Sequence, residues 1–325
     1  MNPAVHIVAD IGGTNARFTT VDLTQQPAAA GLSRQQKYRC ADFKDIEQLC
    51  RAYLQTLPAH TDVLEFCICV AGAVEQDTIF MPNRGWTFSQ QALVRALGLP
   101  IKFINDFTAQ VHSIATLTSN EIEWLGEPRP HGNRVFAVIG PGTGLGVGAM
   151  TERHEAIPSE GGHSSYAPQN PHQLALLQTL WQRQPRVEVE NVLSGPGLER
   201  LYWANAKLQG REARLAAPAI SQAAKAGDAF ALGVIHDFFD ILAAFASDVA
   251  MLMGAVDGVY IVGDLQAQLR SLHDVVRFRE SFNDKDKYRA YCSRIPLALV
   301  TAHDTGLRGC WRYLQLQQQN NSGLT

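Results

Sequence analysis

The stretch HIVADIGGTNARFTTVDL, residues 6–23, reads as a strand, a tight turn and a second strand. Apolar residues run up to a carboxylate at Asp10, and after the turn Phe18, Thr19, Thr20 and Val21 return with partial alternation. A hairpin of this kind differs from a strand that enters a helix. It matches neither the GxxxxGK[ST] spacing nor the GxGxxG of a dinucleotide fold. Gly12 and Gly13 lack a Cβ and tolerate positive φ, so backbone N–H groups could approach an anion, with the Thr14 hydroxyl as a further donor. The same glycines are also what a plain tight hairpin requires.

The device recurs at RVFAVIGPGTGLGVGAM, residues 134–150. Two such turns, one with an aspartate beside it, favour a pair of phosphate cradles. Asp10 alone would repel phosphate, so it makes sense as a carrier of Mg²⁺, directly or through water.

Between and beyond the turns, β and α patterns alternate. DIEQLCRAYLQTL (45–57) has helical spacing with Asp45 as cap, and VLEFCICVAG (63–72) is a buried strand. SQQALVRALGL (89–99) is a short helix capped by Ser89, and IKFINDF (101–107) is a strand ending in a polar pair. A helix is expected near 172–183, and Ser194 or Gly195 breaks structure before another. A long apolar helix runs from Asp228 to Ala255 and delivers the strand GVYIVGDL (258–265). A last strand precedes a helix capped by Asp304 or Thr305, and QQQNNSGLT reads as a frayed tail. Alternation of this kind predicts an α/β fold, with sheets covered by helices.

The chain has 325 residues, enough for two domains of ordinary size. Lys and Arg number 28 against 31 Asp and Glu with no basic block, so no nucleic-acid partner is expected. No 18-residue apolar stretch and no secretory signal are read, which predicts a cytoplasmic protein without a membrane partner. Cys40, Cys50, Cys67, Cys69, Cys292 and Cys310 lack CxxC spacing, so neither zinc nor disulfides are expected. Cys67 and Cys69 lie two apart and should face one side of a strand as buried thiols.

ADIGGTNARF, INDFTA, GPGTGLGVG, SEGGH and VLSGPGL together resemble the bacterial ATP-dependent glucokinase family, outside the ROK type, in the hexokinase and actin-like ATPase superfamily. The blocks run in family order from residue 6 to about 311. The resemblance implies a two-lobed actin-like ATPase (ribonuclease H-like) fold with a sugar/nucleotide cleft between lobes and hinge closure. A small α/β lobe would span residues 1–110, completed by the C-terminal helix 302–325, and a large α/β lobe residues 111–301. It implies transfer of the γ-phosphoryl of MgATP to the 6-hydroxyl of D-glucose, giving glucose 6-phosphate and ADP, by a homodimer.

Phosphoryl transfer to a hydroxyl needs a base, a cation on the phosphates and exclusion of water. Asp106, at a strand end, is the candidate base; on the residues alone it could equally cap the next helix. The resemblance assigns it the sugar proton. It also implies sugar contacts at Asn83, Asn105, Asp106, Glu160, His163 and Glu190. Nucleotide contacts follow at Asp10, Gly12, Gly13, Thr14, Asn15, Gly142, Thr143, Gly144 and Gly263, with Mg²⁺ at Asp10 and no zinc. His163 read alone is an ordinary histidine. ROK kinases follow their Glu-x-Gly-His block with a cysteine-rich zinc segment, whereas SSYAPQNPHQ here contains no cysteine. A departure from the family pattern is Asp264, which replaces the second glycine after the strand GVYIV, where Gly263 matches the first. It leaves three outcomes open: a shifted loop with normal catalysis, a different phosphoryl donor, or a sugar-binding regulatory protein with weak or no kinase activity.

Overall fold

The computed structural model describes residues 4–32, 35–127, 132 and 134–322. The chain falls into two compact units, Met1–Ser119 with Ala302–Thr325, and Asn120–Thr301. Residue 110, where the sequence suggested a boundary, lies within a helix, Asp106–Ser113, and the first unit continues through Ser119.

In the first unit, β1 (Ala4–Ile11) and β2 (Asn15–Val21) form the expected hairpin, and β3 (Gln36–Arg39) pairs with β2. Helix α1 (Ile46–Leu54) follows, with the Asp45 carboxylate accepting from Gln48 N–H. Strand β4 (Asp62–Val70) runs parallel to β1. A small hairpin of β5 (Thr78–Met81) and β6 (Trp86–Ser89) leads into α2 (Gln90–Leu97), capped by Ser89 and closed by Gly98 in the left-handed conformation. Strand β7 (Ile101–Asn105) and helix α3 (Asp106–Ser113) complete the sheet, whose order is β3-β2-β1-β4-β7.

Alternation along β1 explains the layers. Ile7, Ala9 and Ile11 join Leu49 and Cys50 of α1 in one core. Val8 points the other way, to Cys67 and Cys69 of β4 and to the C-terminal helix. The two thiols do share a face, and all six cysteines are free and buried.

The second unit starts with β8 (Ile122–Trp124), β9 (Phe136–Pro141) and β10 (Leu145–Met150), the last two being the second glycine hairpin. Strand β11 (Ala156–Ser159) is followed by α4 (Pro171–Leu180), α5 (Gly195–Leu208), α6 (Ala217–Lys225) and α7 (Ala229–Met253). Then come β12 (Val259–Ile261), α8 (Asp264–Leu269), α9 (Val275–Asn283), α10 (Arg289–Cys292) and β13 (Leu297–Val300). The sheet order is β11-β10-β9-β12-β13-β8. Its first five strands repeat the order and directions of the first sheet: an antiparallel three-strand meander, then two parallel strands.

Helix α11 (Thr305–Ser322) packs in the first unit, with Leu307, Cys310, Trp311 and Leu314 fully buried. It carries on through most of the tail expected to fray; residues 323–325 lie outside the described residues. The reading of no long apolar stretch also needs correction. Helix α7 contains an 18-residue window of mean hydropathy 1.7, long and apolar enough to cross a membrane by composition. More than half of that window is buried, and Val234, Ile235, Phe238 and Leu242 sit inside the core of the second unit.

Candidate active site

At the first glycine turn, Gly12 N–H donates to Asn15 O (3.0 Å) and Cys40 N–H to Thr14 O (2.9 Å), while the Thr14 side chain is exposed. None of Gly12, Gly13, Gly142 and Gly144 has positive φ, and only Gly13 and Gly144 are closely approached where a Cβ would stand. A Cβ on Gly13 would lie 2.7 Å from Asn83 Cβ. The β5–β6 hairpin therefore lays Asn83 directly on the first glycine turn.

Asp10 points to the face shared with Val8, toward the start of α11. A Cβ on Gly306 would stand 2.8 Å from the Asp10 Cγ, so only a glycine lets the helix N-terminus come this close. The Arg17 Nη1 donates to Asp10 Oδ2 at 3.5 Å, and the Cys69 thiol donates to Oδ1 at 3.7 Å. Arg17 is shared: its Nε lies 3.9 Å from Asp304. Asp304, directly before α11, adopts φ 58°; its backbone O accepts from Arg308 N–H (3.1 Å) and its Oδ1 from Gln35 Nε2 (3.0 Å).

At the end of β7, Asn105 caps α3, its Oδ1 accepting from Phe107 N–H (2.8 Å) and Thr108 N–H (3.2 Å). Its Nδ2 donates to Gly72 O (3.1 Å). The capping role left open for Asp106 thus belongs to Asn105, and Asp106 is the first residue of the helix, half-buried. Ile11 is level with Val70, and Val70 with Asn105, so β1 and β7 end at the same sheet edge. Two strand spacings, about 10 Å, separate them.

In the second unit, Gly142 N–H donates to Gly144 O and Gly195 N–H to Gly142 O, both at 2.8 Å. This seats the second turn against the first residues of α5, where Ser194 caps by accepting from Gly197 N–H (3.0 Å). Exposed Thr143 at the tip and a helix N-terminus beside it form an arrangement suited to phosphate. Glu190, assigned to sugar by resemblance, has its Oε2 on Leu145 N–H at 2.8 Å, and a Cβ on Gly144 would be 2.6 Å from that oxygen. Gly263 has φ 105°, and a Cβ there would lie 2.9 Å from Pro141 O. The end of β12 is thus pressed against the strand that feeds the second turn.

Glu160 precedes and His163 ends a short 3₁₀ turn, Gly161–His163. Gly162 is buried, and its Cβ would meet Leu145 O at 2.2 Å, which pins this turn to β10. His163 Nε2 is 3.9 Å from Glu160 Oε2, whereas Nδ1 is 2.8 Å from Glu188 Oε2. The Glu188 hydrogen bond, opposed by desolvation and helped by the charges of Glu190, Glu188 and Glu160, raises the His163 pKa above the usual histidine value. Glu188 escaped the sequence reading: Glu190, two residues on, matched the resemblance, and nothing local ties Glu188 to a histidine 25 residues upstream.

Among the described residues, no group of three or more His, Cys, Asp or Glu is placed to hold a metal. Asp10, beside the first glycine turn and held by Arg17, could support a Mg²⁺ that arrives on nucleotide phosphates, since that ion keeps waters and needs one or two carboxylates.

The family model described as Glucokinase matches residues 7–317. The glucokinase of Chromohalobacter salexigens is 36% identical over 96% of this chain and 98% of its own length. A bifunctional protein glk of Burkholderia lata is also 36% identical, over 98% of this chain, which spans 49% of that longer protein. The crystal structure of a glucokinase from an Antarctic psychrotroph superposes with a TM-score of 0.85 at 33% identity, covering 96% of this chain and 99% of that one. The fold is accordingly the actin-like ATPase fold anticipated from the sequence. Twin glycine hairpins in sheets of one topology, matched along nearly the whole chain, establish that this protein belongs to the glucokinase family.

Proposed function

We propose that this protein transfers the γ-phosphoryl of ATP to the 6-hydroxyl of D-glucose, giving glucose 6-phosphate and ADP. The near full-length match to the glucokinase family carries this reading. In it, Asp106 accepts the hydroxyl proton as the oxygen attacks phosphorus. Asn105 fixes the start of α3 and hence the direction of that carboxylate. Gly12, Gly13, Thr14 and Asn15, with Gly142, Thr143 and Gly144, offer backbone and hydroxyl donors to phosphates, and Gly263 lines the nucleotide. Asn83, Asn105, Glu160, His163 and Glu190 bind sugar hydroxyls. Mg²⁺, carried with ATP and supported by Asp10, would neutralise charge developing on the phosphate oxygens.

The first compact unit would serve as the small lobe and the second as the large one. The family likeness also supports a cytoplasmic homodimer without nucleic acid, membrane or zinc. The regulatory and alternative-donor readings rested on Asp264. That residue has no positive φ, so its own backbone does not require glycine.

The test is coupled measurement of ADP release with MgATP and glucose, beside calorimetric glucose binding, for the parent chain and Asp106→Ala. Glucose-dependent turnover that falls at least about 10²-fold in Asp106→Ala, with glucose still bound, is expected. Full turnover in the variant would remove Asp106 as base, and glucose binding without turnover in the parent would overturn the kinase reading.

A further inference from the structure

His163 presents two nitrogens to different surroundings. An ionised carboxylate only accepts, so the 2.8 Å contact from Glu188 Oε2 fixes the proton on Nδ1. Nε2 is left at 3.9 Å from Glu160 Oε2, too long for a direct hydrogen bond, so both atoms face solvent and a hydroxyl can approach them from that side. Both His163 and Glu160 are open to solvent, at 52% and 83% side-chain exposure, whereas Glu188 is at 26%. Glu188 itself is held. Its other oxygen lies 3.5 Å from Arg186 Nε, and Arg186 Nη2 donates to His163 O at 2.9 Å. Its backbone N–H donates to Asn191 Oδ1 (2.8 Å) in a capping box, and Val189 N–H donates to Ser164 O (2.9 Å), tying the two segments together.

We infer that Glu188 is a positioning residue for sugar binding: with Arg186 it clamps His163 so that Nε2, beside Glu160, is the atom offered to a sugar hydroxyl. This rests on the reading of His163 as a sugar contact. The clamp has a second consequence. Glu160, Glu188 and Glu190 surround the ring with negative charge, countered by Arg186, and the charged imidazole persists to higher pH than a free one. Nε2 is a donor while the ring is charged and an acceptor above that pH, so glucose affinity should change across the His163 titration.

The test compares the parent with Glu188→Gln, Glu188→Ala and His163→Gln, using glucose KM and kcat across pH and an NMR titration of His163. Gln preserves length and a neutral hydrogen bond, so KM should rise modestly in Glu188→Gln and by about three- to tenfold in Glu188→Ala, with kcat little changed. The His163 midpoint should fall in both Glu188 variants, taking the pH step in KM with it. An unmoved midpoint and unmoved KM would overturn the clamp. A KM that rises in His163→Gln but not in either Glu188 variant would overturn the role of Glu188 alone. An unchanged KM in His163→Gln would overturn the sugar contact itself. Matching thermal melts guard against misfolding: a Glu188→Ala effect on KM accompanied by a lowered melting temperature and an unmoved His163 midpoint would show a merely structural role.

Discussion

Asp264 and its neighbour Gly263 carry different burdens. Gly263 adopts φ 105° with Pro141 O where a Cβ would sit; Asp264 has no positive φ, is exposed and opens helix α8, where a carboxylate complements the helix dipole. Asp264→Gly should therefore leave the KM for ATP within about twofold and cost about 0.5–1 kcal/mol of stability, from lost charge complementarity and added backbone entropy. Gly263→Ala should raise the KM for ATP and destabilise by about 1–3 kcal/mol. Steady-state kinetics with urea melts checks both, and a sharply lower KM in Asp264→Gly would show the aspartate to be an obstacle after all.

Helices α3 and α11 meet through small residues. A Cβ on Gly309 would fall 1.9 Å from Ala109 O, so the backbones touch where any side chain would hold them apart. Beside this contact the guanidinium of Arg308, fully buried, donates to Thr116 Oγ1 (3.0 Å) and to Thr116 O. Overpacking at such a site costs about 1–3 kcal/mol or more. Gly309→Ala should accordingly lower the urea midpoint of unfolding. Because α3 begins at Asp106 and α11 begins beside Asp10, kcat should fall as well. Parent-like stability in Gly309→Ala would refute this tight packing.

For the molecule as a whole, His273 ties stability to pH. Its ring packs 4.4 Å from Phe239 and 4.8 Å from Phe278, centroid to centroid, and neither nitrogen has a partner among the described residues. Burial, only partly offset by Glu123 and Asp274, lowers its pKa from 6.5 to about 4. The folded chain thus binds its proton less readily than the unfolded chain. The contribution of His273 to stability is complete above pH 6.5 and is lost as pH falls toward 4, by up to about 3 kcal/mol. Denaturant melts between pH 7.5 and 4.5 should show this decline, and His273→Leu should flatten much of it. An equal decline in that variant would assign the effect to other groups.

Local pattern determined much of this protein. Alternation and glycine turns announced both hairpins, and Asp45, Ser89, Ser194 and Asp228 each cap the helix that follows, because a cap acts within three residues of itself. A short strand without an apolar run, β3, went unread, since its pairing comes from its neighbour and not from its own residues. Folding in three dimensions reassigned the rest: the cap went to Asn105 rather than Asp106, Asn83 came to rest on Gly13, Glu190 took the Leu145 amide, and Glu188 found His163. The cap is a local choice between two neighbouring residues that could each make it, whereas the other three rest on contacts between segments far apart along the chain, and periodicity within a segment carries no trace of its distant partner.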